Sequence, residues 1–367
     1  ADPRAVGGRM SPKQADVVVT GIGVRCAVGN DVVQTAATIR TRLSRFVAWE
    51  HGAVAADEEP IAVAPIDPDL GDCPWSEKLA GLIEQPVHEA LWQARLYDGV
   101  GFRARFGTVA RIGLWAATPS PTRPRAGVRE VEDVAARLAT VLPLRPDGVE
   151  VVALDHGAGL TAIARAAEAI ATRRCMVAVV VGADSHLHAP WLEMLVQRDW
   201  AKHESRPHGF VPGECGTCVV LERAETAARR DAVPLARLAA VAVDHEARPI
   251  GPEEPVRAEG LSRVVHSCLD AVPELSPALA VADLNGERWR SLEWALMKTR
   301  CLGRLGDFAL LHPSDCVGDV GAAGGGLHVA TAIRALERGY SGGESVLLTS
   351  SSPLGPRAAA VLATAGS

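Results

Sequence analysis

The sequence predicts a layered α/β protein built from two similar halves, and three observations carry this prediction. The first is an internal repeat: VVALDHGAGLTAIARAAEAIATRRCMVAVVVGADS (residues 151–185) has a counterpart, FALLHPSDCVGDVGAAGGGLHVATAIRALERGYSGGESVLLTSSS (residues 308–352). Both units have the order strand, small-residue loop, Ala-rich helix, basic helix end and strand. The second is the continuous apolar character of strand runs such as MVAVVVGAD, which is typical of strands buried on both faces. The third is the alternation of strands and helices, which favours a layered α/β architecture.

The individual elements follow from the same patterns. Further apolar runs predict strands at ADVVVTGIGV, RIGLWAATPS, GTCVVLERAE, LARLAAVAVD, ALAVADLNGE and ESVLLTSS. In the two repeated helices apolar residues fall at helical spacing: Leu160, Ile163, Ala167 and Ile170 in the first, and Leu327, Ala330, Ile333 and Leu336 in the second. Basic residues end both helices, where positive charge suits the helix dipole. We expect a flexible tail over residues 1–14, one half over 15–228 and a second half over 229–367.

Composition excludes several classes of protein. The 367 residues are 48% hydrophobic and 22% charged, as in ordinary soluble globular proteins. A net charge of -6 and an aromatic content of 4% argue against a nucleic-acid partner. No apolar run approaches the ~20 residues of a membrane-spanning helix, and the first residues lack the apolar core of a leader. We expect a cytoplasmic protein without a membrane span.

The candidate metal and dinucleotide motifs are weak. Cys215 and Cys218 form a CxxC within an apolar run, but no second pair stands at zinc spacing, so packed core thiols are expected. His186 and His188 would share one strand face without an evident third ligand, which favours surface or packing histidines. TGIGVRCAVG lacks the third glycine of a dinucleotide loop. The sequence predicts neither a metal nor another cofactor.

A Pro/Arg-rich segment, ATPSPTRPRAG (residues 117–127), predicts a surface loop. Its arginines favour either a solvated loop or a docking element for an acidic partner.

Three segments resemble the β-ketoacyl synthases: VVVTGIGVRCAVGNDV, SRPHGFVPGECGTCVVLERAETA and CVGDVGAAGG. They occur in the family's order and the resemblance spans nearly all of the chain after residue 15. It implies a thiolase-like duplicated five-layer αβαβα fold and a homodimer paired through a central strand, or a heterodimer with another ketosynthase-like chain. It also implies an acyl thioester or an acyl carrier protein as ligand.

Active members of that family use a cysteine nucleophile and two histidines, and this chain departs at all three positions. By position the cysteine falls on His156 and the first histidine on Asn285. The second falls on Gly318 or Asp319, because the loop is one residue shorter. The family's late glycine-rich loop, which helps to form the oxyanion hole, has become SSSPLGPRAAA (residues 350–360). The resemblance thus places the catalytic positions at His156, Asn285 and Asp319, surrounded by substrate-binding positions Asp155, Gly157, Gly159, Gly318 and Cys316.

Each of these residues has two interpretations. His156 at a helix N-terminus could act as a base, bind a substrate carbonyl or carry an acyl group, or it could fill a vestigial pocket, bonded to Asp155 or a backbone carbonyl. Asp319 could face His156 together with Asn285, or cap the following helix. Cys316 could be a displaced nucleophile or a buried structural thiol.

Three functions follow from these alternatives. The first is a ketosynthase-like protein that does not condense, similar to the chain-length-factor partners of active synthases. The second is an acyltransferase or thioester hydrolase that uses His156 in place of the cysteine. The third is a dimeric scaffold on the same fold.

Overall fold

The computed structural model describes residues 17–49, 60–66, 75–96, 111–123, 128–141, 146–247 and 255–366. The predicted tail over residues 1–14 lies outside them. The described strands are β1 (Val17–Cys26), β2 (Val47–Ala48), β3 (Ala62–Val63), β4 (Ile112–Thr118), β5 (Gly148–Ala153), β6 (Val177–Ser185), β7 (Glu214–Arg223), β8 (Ala236–His245), β9 (Leu279–Ala282), β10 (Ala309–Leu311), β11 (Ser345–Ser351) and β12 (Pro356–Ala363). The described helices are α1 (Val32–Thr41), α2 (Trp75–Gln93), α3 (Val128–Val141), α4 (Ala158–Ala171), α5 (Ala189–Gln197), α6 (Ala224–Arg229), α7 (Glu259–Ala271), α8 (Arg288–Leu305), α9 (Ser314–Val317) and α10 (Gly324–Glu337).

Ten strands form one mixed sheet in the order β10-β9-β11-β12-β8-β1-β7-β6-β4-β5, and β2 pairs with β3 separately. The sheet consists of two five-stranded halves with the same pattern. In the first half β4 pairs in parallel with β5 and β6, and β7 and β1 follow antiparallel. In the second half β9 pairs in parallel with β10 and β11, and β12 and β8 follow antiparallel. Within the sheet, the described residues join the two halves where Val18 and Val19 of β1 face Arg237 and Ala236 of β8. This repeated strand order agrees with the repeat in the sequence.

The helices complete five layers. The helices α4 and α10 lie between the two halves of the sheet and are buried on nearly every side. The helices α2 and α3 cover the outer face of the first half, and α7 and α8 cover the outer face of the second. Each of the three helical layers has its own apolar cluster, and the central one is the largest. The predicted α/β class and its layered, duplicated architecture are therefore confirmed.

Two glycines set the distance between the central helices. A Cβ atom on Gly159 of α4 would lie 2.8 Å from the Cα of Gly325 of α10, and one on Gly325 would lie 2.5 Å from the backbone nitrogen of Leu160. Contacts this close leave no room for a side chain at either position. The N-terminal turns of both helices therefore approach each other closely, which brings the loops in front of them together.

The CxxC thiols do not form a pair. Cys215 belongs to the central apolar cluster and Cys218 to the outer cluster beneath α2. Because side chains alternate along a strand, residues three apart in β7 point to opposite faces. Both thiols are buried in the core, as expected, but they cannot share one ligand.

None of the helices in the described residues combines the length and the apolar character needed to cross a bilayer.

Candidate functional site

His156 lies at the junction between β5 and α4. Asp155–Gly157 forms a 3₁₀ turn that runs directly into the helix, and the equivalent turn Gly321–Ala323 runs into α10. Both turns begin in the left-handed region, with φ of 50° at Asp155 and 44° at Gly321. For a residue other than glycine this conformation costs about 1–2 kcal/mol. The strained residue thus lies next to the position at which the resemblance places the nucleophile.

Asp319 is the centre of the site. Its two carboxylate oxygens lie 2.8 and 2.9 Å from Nε2 of His156, and Oδ1 also lies 3.1 Å from Nε2 of His186. The backbone N–H of Gly321 donates to Oδ1 at 2.9 Å, and Nδ2 of Asn285 donates to Oδ2. The carboxylate is 1% exposed, so these protein groups stabilise its charge in place of bulk solvent.

These contacts keep Asp319 ionised. Burial alone would raise the pKa of its carboxyl, because a charge is poorly solvated in the interior. The interactions with His156 and His186 outweigh burial and hold the pKa well below its ordinary value. The site is therefore built around a buried negative charge.

The structure brings the three predicted catalytic positions together. Asn285 is fixed on its other side, where its amide donates to Glu287 Oε2 at 2.9 Å and its carbonyl accepts from the Glu287 N–H at 3.0 Å. Gly318 supplies backbone only: its φ is 74°, and a Cβ would lie 2.8 Å from the carbonyl oxygen of Val211. Asp319 is thus the member of the pair Gly318–Asp319 whose side chain faces His156. Asp319 also accepts from the N–H of Gly321, the first residue of the turn before α10, but α10 itself has no side-chain cap, so the expected cap of the helix is not formed.

His186 belongs to the site, contrary to the expectation of a surface or packing histidine. It is 1% exposed, directly follows β6, and receives a hydrogen bond at Nδ1 from the Trp191 indole at 2.7 Å. The chain order contains a signal for it. The strands β4, β5 and β6 are parallel, so the residues that follow β6 lie at the same edge of the sheet as His156, which follows β5. No sequence pattern distinguishes Trp191, which lies on the first turn of α5.

Arg123 lies in the interior, so the expectation of a surface loop is wrong for this residue. Its Nη1 and Nη2 donate to the two carboxylate oxygens of Asp184 at 2.8 and 2.9 Å, and its Nε lies 2.9 Å from Asp155 Oδ1. Asp155 also accepts from the Ser120 N–H at 2.9 Å. Asp155, one of the two partners considered for a vestigial His156, is therefore bound to Arg123, and His156 is bound to Asp319. Residues 124–127 lie outside the described part of the chain.

The remaining predicted positions differ in their placement. A Cβ on Gly157 would lie 2.9 Å from Cβ of Pro356, so the turn packs directly on the loop between β11 and β12. Cys316 is 2% exposed within the central apolar cluster. Burial raises the pKa of its thiol to about 11, and no hydrogen bond described here joins it to the network around Asp319.

The seven cysteines in the described residues are all buried free thiols. Burial is the largest cause of a raised pKa at every one of them. A nucleophilic cysteine needs the opposite shift, so none of these thiols has the environment of a catalytic thiolate.

One group of side chains has the composition of a metal site. Ligand atoms of His156, His186 and Asp319 lie within 4.8 Å of one another. A histidine that binds a metal through Nε2 normally donates its Nδ1–H to an acceptor. Here Nδ1 of His186 faces the indole N–H of Trp191, and Nδ1 of His156 is buried without a partner among the described residues. The hydrogen bonds fit a histidine–carboxylate network better than a metal centre.

Comparison with known proteins agrees with this architecture. Residues 117–227 match the family model described as beta-ketoacyl synthase, N-terminal domain. No curated protein matches the sequence.

Several solved structures are similar over almost the whole chain. The ishigamide ketosynthase/chain length factor has a TM-score of 0.78 at 17% identity, over 96% of this chain and 100% of that one. An oxazolomycin ketosynthase domain from Streptomyces albus JA3453 has a TM-score of 0.77 at 16% identity, over 95% and 74%. A type II polyketide synthase acyl-carrier protein in complex with its ketosynthase bound to the hexaketide has a TM-score of 0.76 at 16% identity, over 96% and 100%. This chain therefore has the thiolase-like ketosynthase fold, and its residues 117–227 are similar to the N-terminal domain of the beta-ketoacyl synthases.

Proposed function

We propose that this chain is a ketosynthase-like protein of fatty-acid or polyketide-type acyl metabolism that does not condense acyl units through a cysteine. The observation that carries the proposal is the hydrogen bond of 2.8 Å between His156 and Asp319. At the position where active relatives hold their nucleophile, this chain has a histidine that is hydrogen-bonded to an ionised carboxylate. A thiol ester intermediate has no sulfur to form on at this position.

A partner role is consistent with the edges of the sheet. Within the described residues β5 pairs only with β4, so its other edge is free of strand partners, and Val149 on it is 46% exposed. Free strand edges are templates for pairing with another chain. The similar structures include a ketosynthase/chain length factor and a ketosynthase in complex with an acyl-carrier protein. We therefore propose a second ketosynthase-like chain, identical or not, as partner at β5, and an acyl thioester or acyl carrier protein as ligand.

A second candidate function is hydrolysis of an acyl thioester with His156 as general base. The observation that favours it is Nδ1 of His156, which is buried and without a partner among the described residues. In this reaction Nδ1 takes a proton from water while the water oxygen bonds to the thioester carbonyl carbon. The C–S bond then breaks, and the proton held by His156 passes to the departing thiolate. Asp319 stabilises the protonated imidazole through Nε2.

The two functions are separated by adding acyl-CoA thioesters of several chain lengths to the purified chain. Binding is followed by calorimetry, and release of free thiol is followed by a colorimetric thiol reagent. Binding without thiol release supports the non-condensing protein. Thiol release that is lost in His156→Gln but kept in His312→Gln, a surface histidine paired with Asp315, supports the hydrolase. If the chain neither binds acyl-CoA nor releases thiol, the dimeric scaffold is the remaining candidate function.

A further inference from the structure

The proton positions in the site follow from one fixed donor. The indole N–H of Trp191 can only donate, so Nδ1 of His186, 2.7 Å away, accepts and carries no hydrogen. The hydrogen of the neutral ring is then on Nε2, which lies 3.1 Å from Asp319 Oδ1. This tautomer is assigned from the hydrogen-bond network. His186 is thus a donor toward Asp319.

The same accounting fixes His156. The ionised carboxylate of Asp319 can only accept, and both of its oxygens lie within 2.9 Å of Nε2 of His156. Nε2 of His156 therefore carries a hydrogen. In a neutral imidazole the other nitrogen, Nδ1, is then a bare lone pair. That atom is buried and has no partner among the described residues.

Trp191 is itself held in place from its other side. The guanidinium of Arg123 lies 5.2 Å from the centre of the Trp191 ring, and the His186 ring lies 5.9 Å from it. Arg123 is in turn fixed by Asp184 and Asp155. The indole N–H is thus aimed at His186 by buried, ion-paired neighbours rather than by a mobile surface contact.

We propose that Trp191 is a positioning residue, which holds the proton of His186 on Nε2 and so makes His186 a donor to Asp319, the same carboxylate that leaves Nδ1 of His156 as the unprotonated acceptor of the site. Its functional meaning rests on the second candidate function, in which Nδ1 is the base. The proton positions themselves are a property of the unliganded chain.

The other charged groups around the network are paired among themselves. Arg123 is bound to Asp184 and Asp155, and Arg290, on the side of Asn285, is bound to Asp283 and Glu287. Both arginines also interact favourably with the charge of Asp319. No further donor from these elements is described at Nδ1 of His156, so the tautomer of His186 depends on Trp191 and that of His156 on Asp319.

The test is nitrogen NMR of the full chain labelled with ¹⁵N-histidine at neutral pH. Signals of His156 and His186 are assigned by loss in His156→Gln and His186→Gln. In the wild type we expect both rings to show a protonated Nε2 and an unprotonated Nδ1. In Trp191→Phe, which keeps the ring and removes the N–H, we expect the His186 nitrogen shifts to move toward the average of a tautomer mixture. Trp200→Phe, at a tryptophan that is 41% exposed, should leave both rings unchanged.

Two results would overturn the proposal. The first is a protonated Nδ1 on His186 in the wild type, which overturns it even where Trp191→Phe does not fold. The second is a Trp191→Phe spectrum in which the His186 ring keeps its wild-type nitrogen shifts. Failure of the proposed function would appear separately, as absence of thioester binding and thiol release.

Discussion

Replacing Asp319 by asparagine should destabilise the protein by about 3 kcal/mol. The carboxylate receives hydrogen bonds from His156, His186, Asn285 and Gly321 while 1% exposed. An asparagine oxygen at the Oδ1 position keeps the donors there, but its amide then faces the Asn285 amide, donor against donor. One charge-assisted hydrogen bond is lost, at about 1.5–3 kcal/mol, and the others weaken to neutral strength. Alanine removes this acceptor from all four donors, among which Asn285 still donates to Glu287, so its penalty should be larger, about 5 kcal/mol.

The assay is urea unfolding of the wild type, Asp319→Asn and Asp319→Ala, with Asp315→Asn as control. Asp315 lies four residues earlier and is 56% exposed, so its change should be within about 0.5 kcal/mol. Because the pKa of Asp319 is held below its unfolded value, its stabilisation is fully present above about pH 4 and is lost only as the pH falls below that. An Asp319→Asn variant within 0.5 kcal/mol of the wild type would refute the network.

Three further predictions concern the surroundings of the site. Burial lowers the pKa of His328 from 6.5 to about 4. Between these pH values only the unfolded chain takes up the proton, so the free energy of unfolding should fall by about 3 kcal/mol from pH 6.5 to 4. In His328→Gln the free energy of unfolding should depend correspondingly less on pH. Gly325→Ala should cost about 1–3 kcal/mol in urea unfolding because its Cβ meets the backbone of α4, whereas Gly324→Ala, with open space around it, should not destabilise; equal effects would contradict the close approach. Arg123→Met should cost about 3–5 kcal/mol in thermal or urea unfolding by leaving Asp184 and Asp155 unpaired, against about 0.5 for the exposed Arg174→Met.

The fold could be predicted because its signals are local and occur twice. The apolar runs that became β6 and β11, and the helical spacing that became α4 and α10, each depend on neighbouring residues in the chain. The resemblance then supplied the five-layer arrangement. The structure agrees in the layers, in the repeated unit of strand, helix and strand, and in the burial of β6 and β11.

The site could be predicted only in part, because its contacts join distant segments. The resemblance named His156, Asn285 and Asp319, which are up to 163 residues apart, but it gave no partner for any of them. No local pattern separates His186 from His188 on the same predicted strand face. Pro and Arg are typical of exposed loops, so the sequence predicts a surface position for Arg123. Nothing local shows that Asp184 lies opposite it, 61 residues later.

The most direct test of the central claim is intact-protein mass spectrometry of the purified chain after incubation with acyl-CoA and acyl-carrier thioesters, together with a malonyl thioester and analysis of the small-molecule products. The account predicts no acyl adduct on any cysteine and no condensed β-ketoacyl product, with the same result in His156→Gln. A cysteine adduct, or a β-ketoacyl product formed by the chain alone, would contradict it.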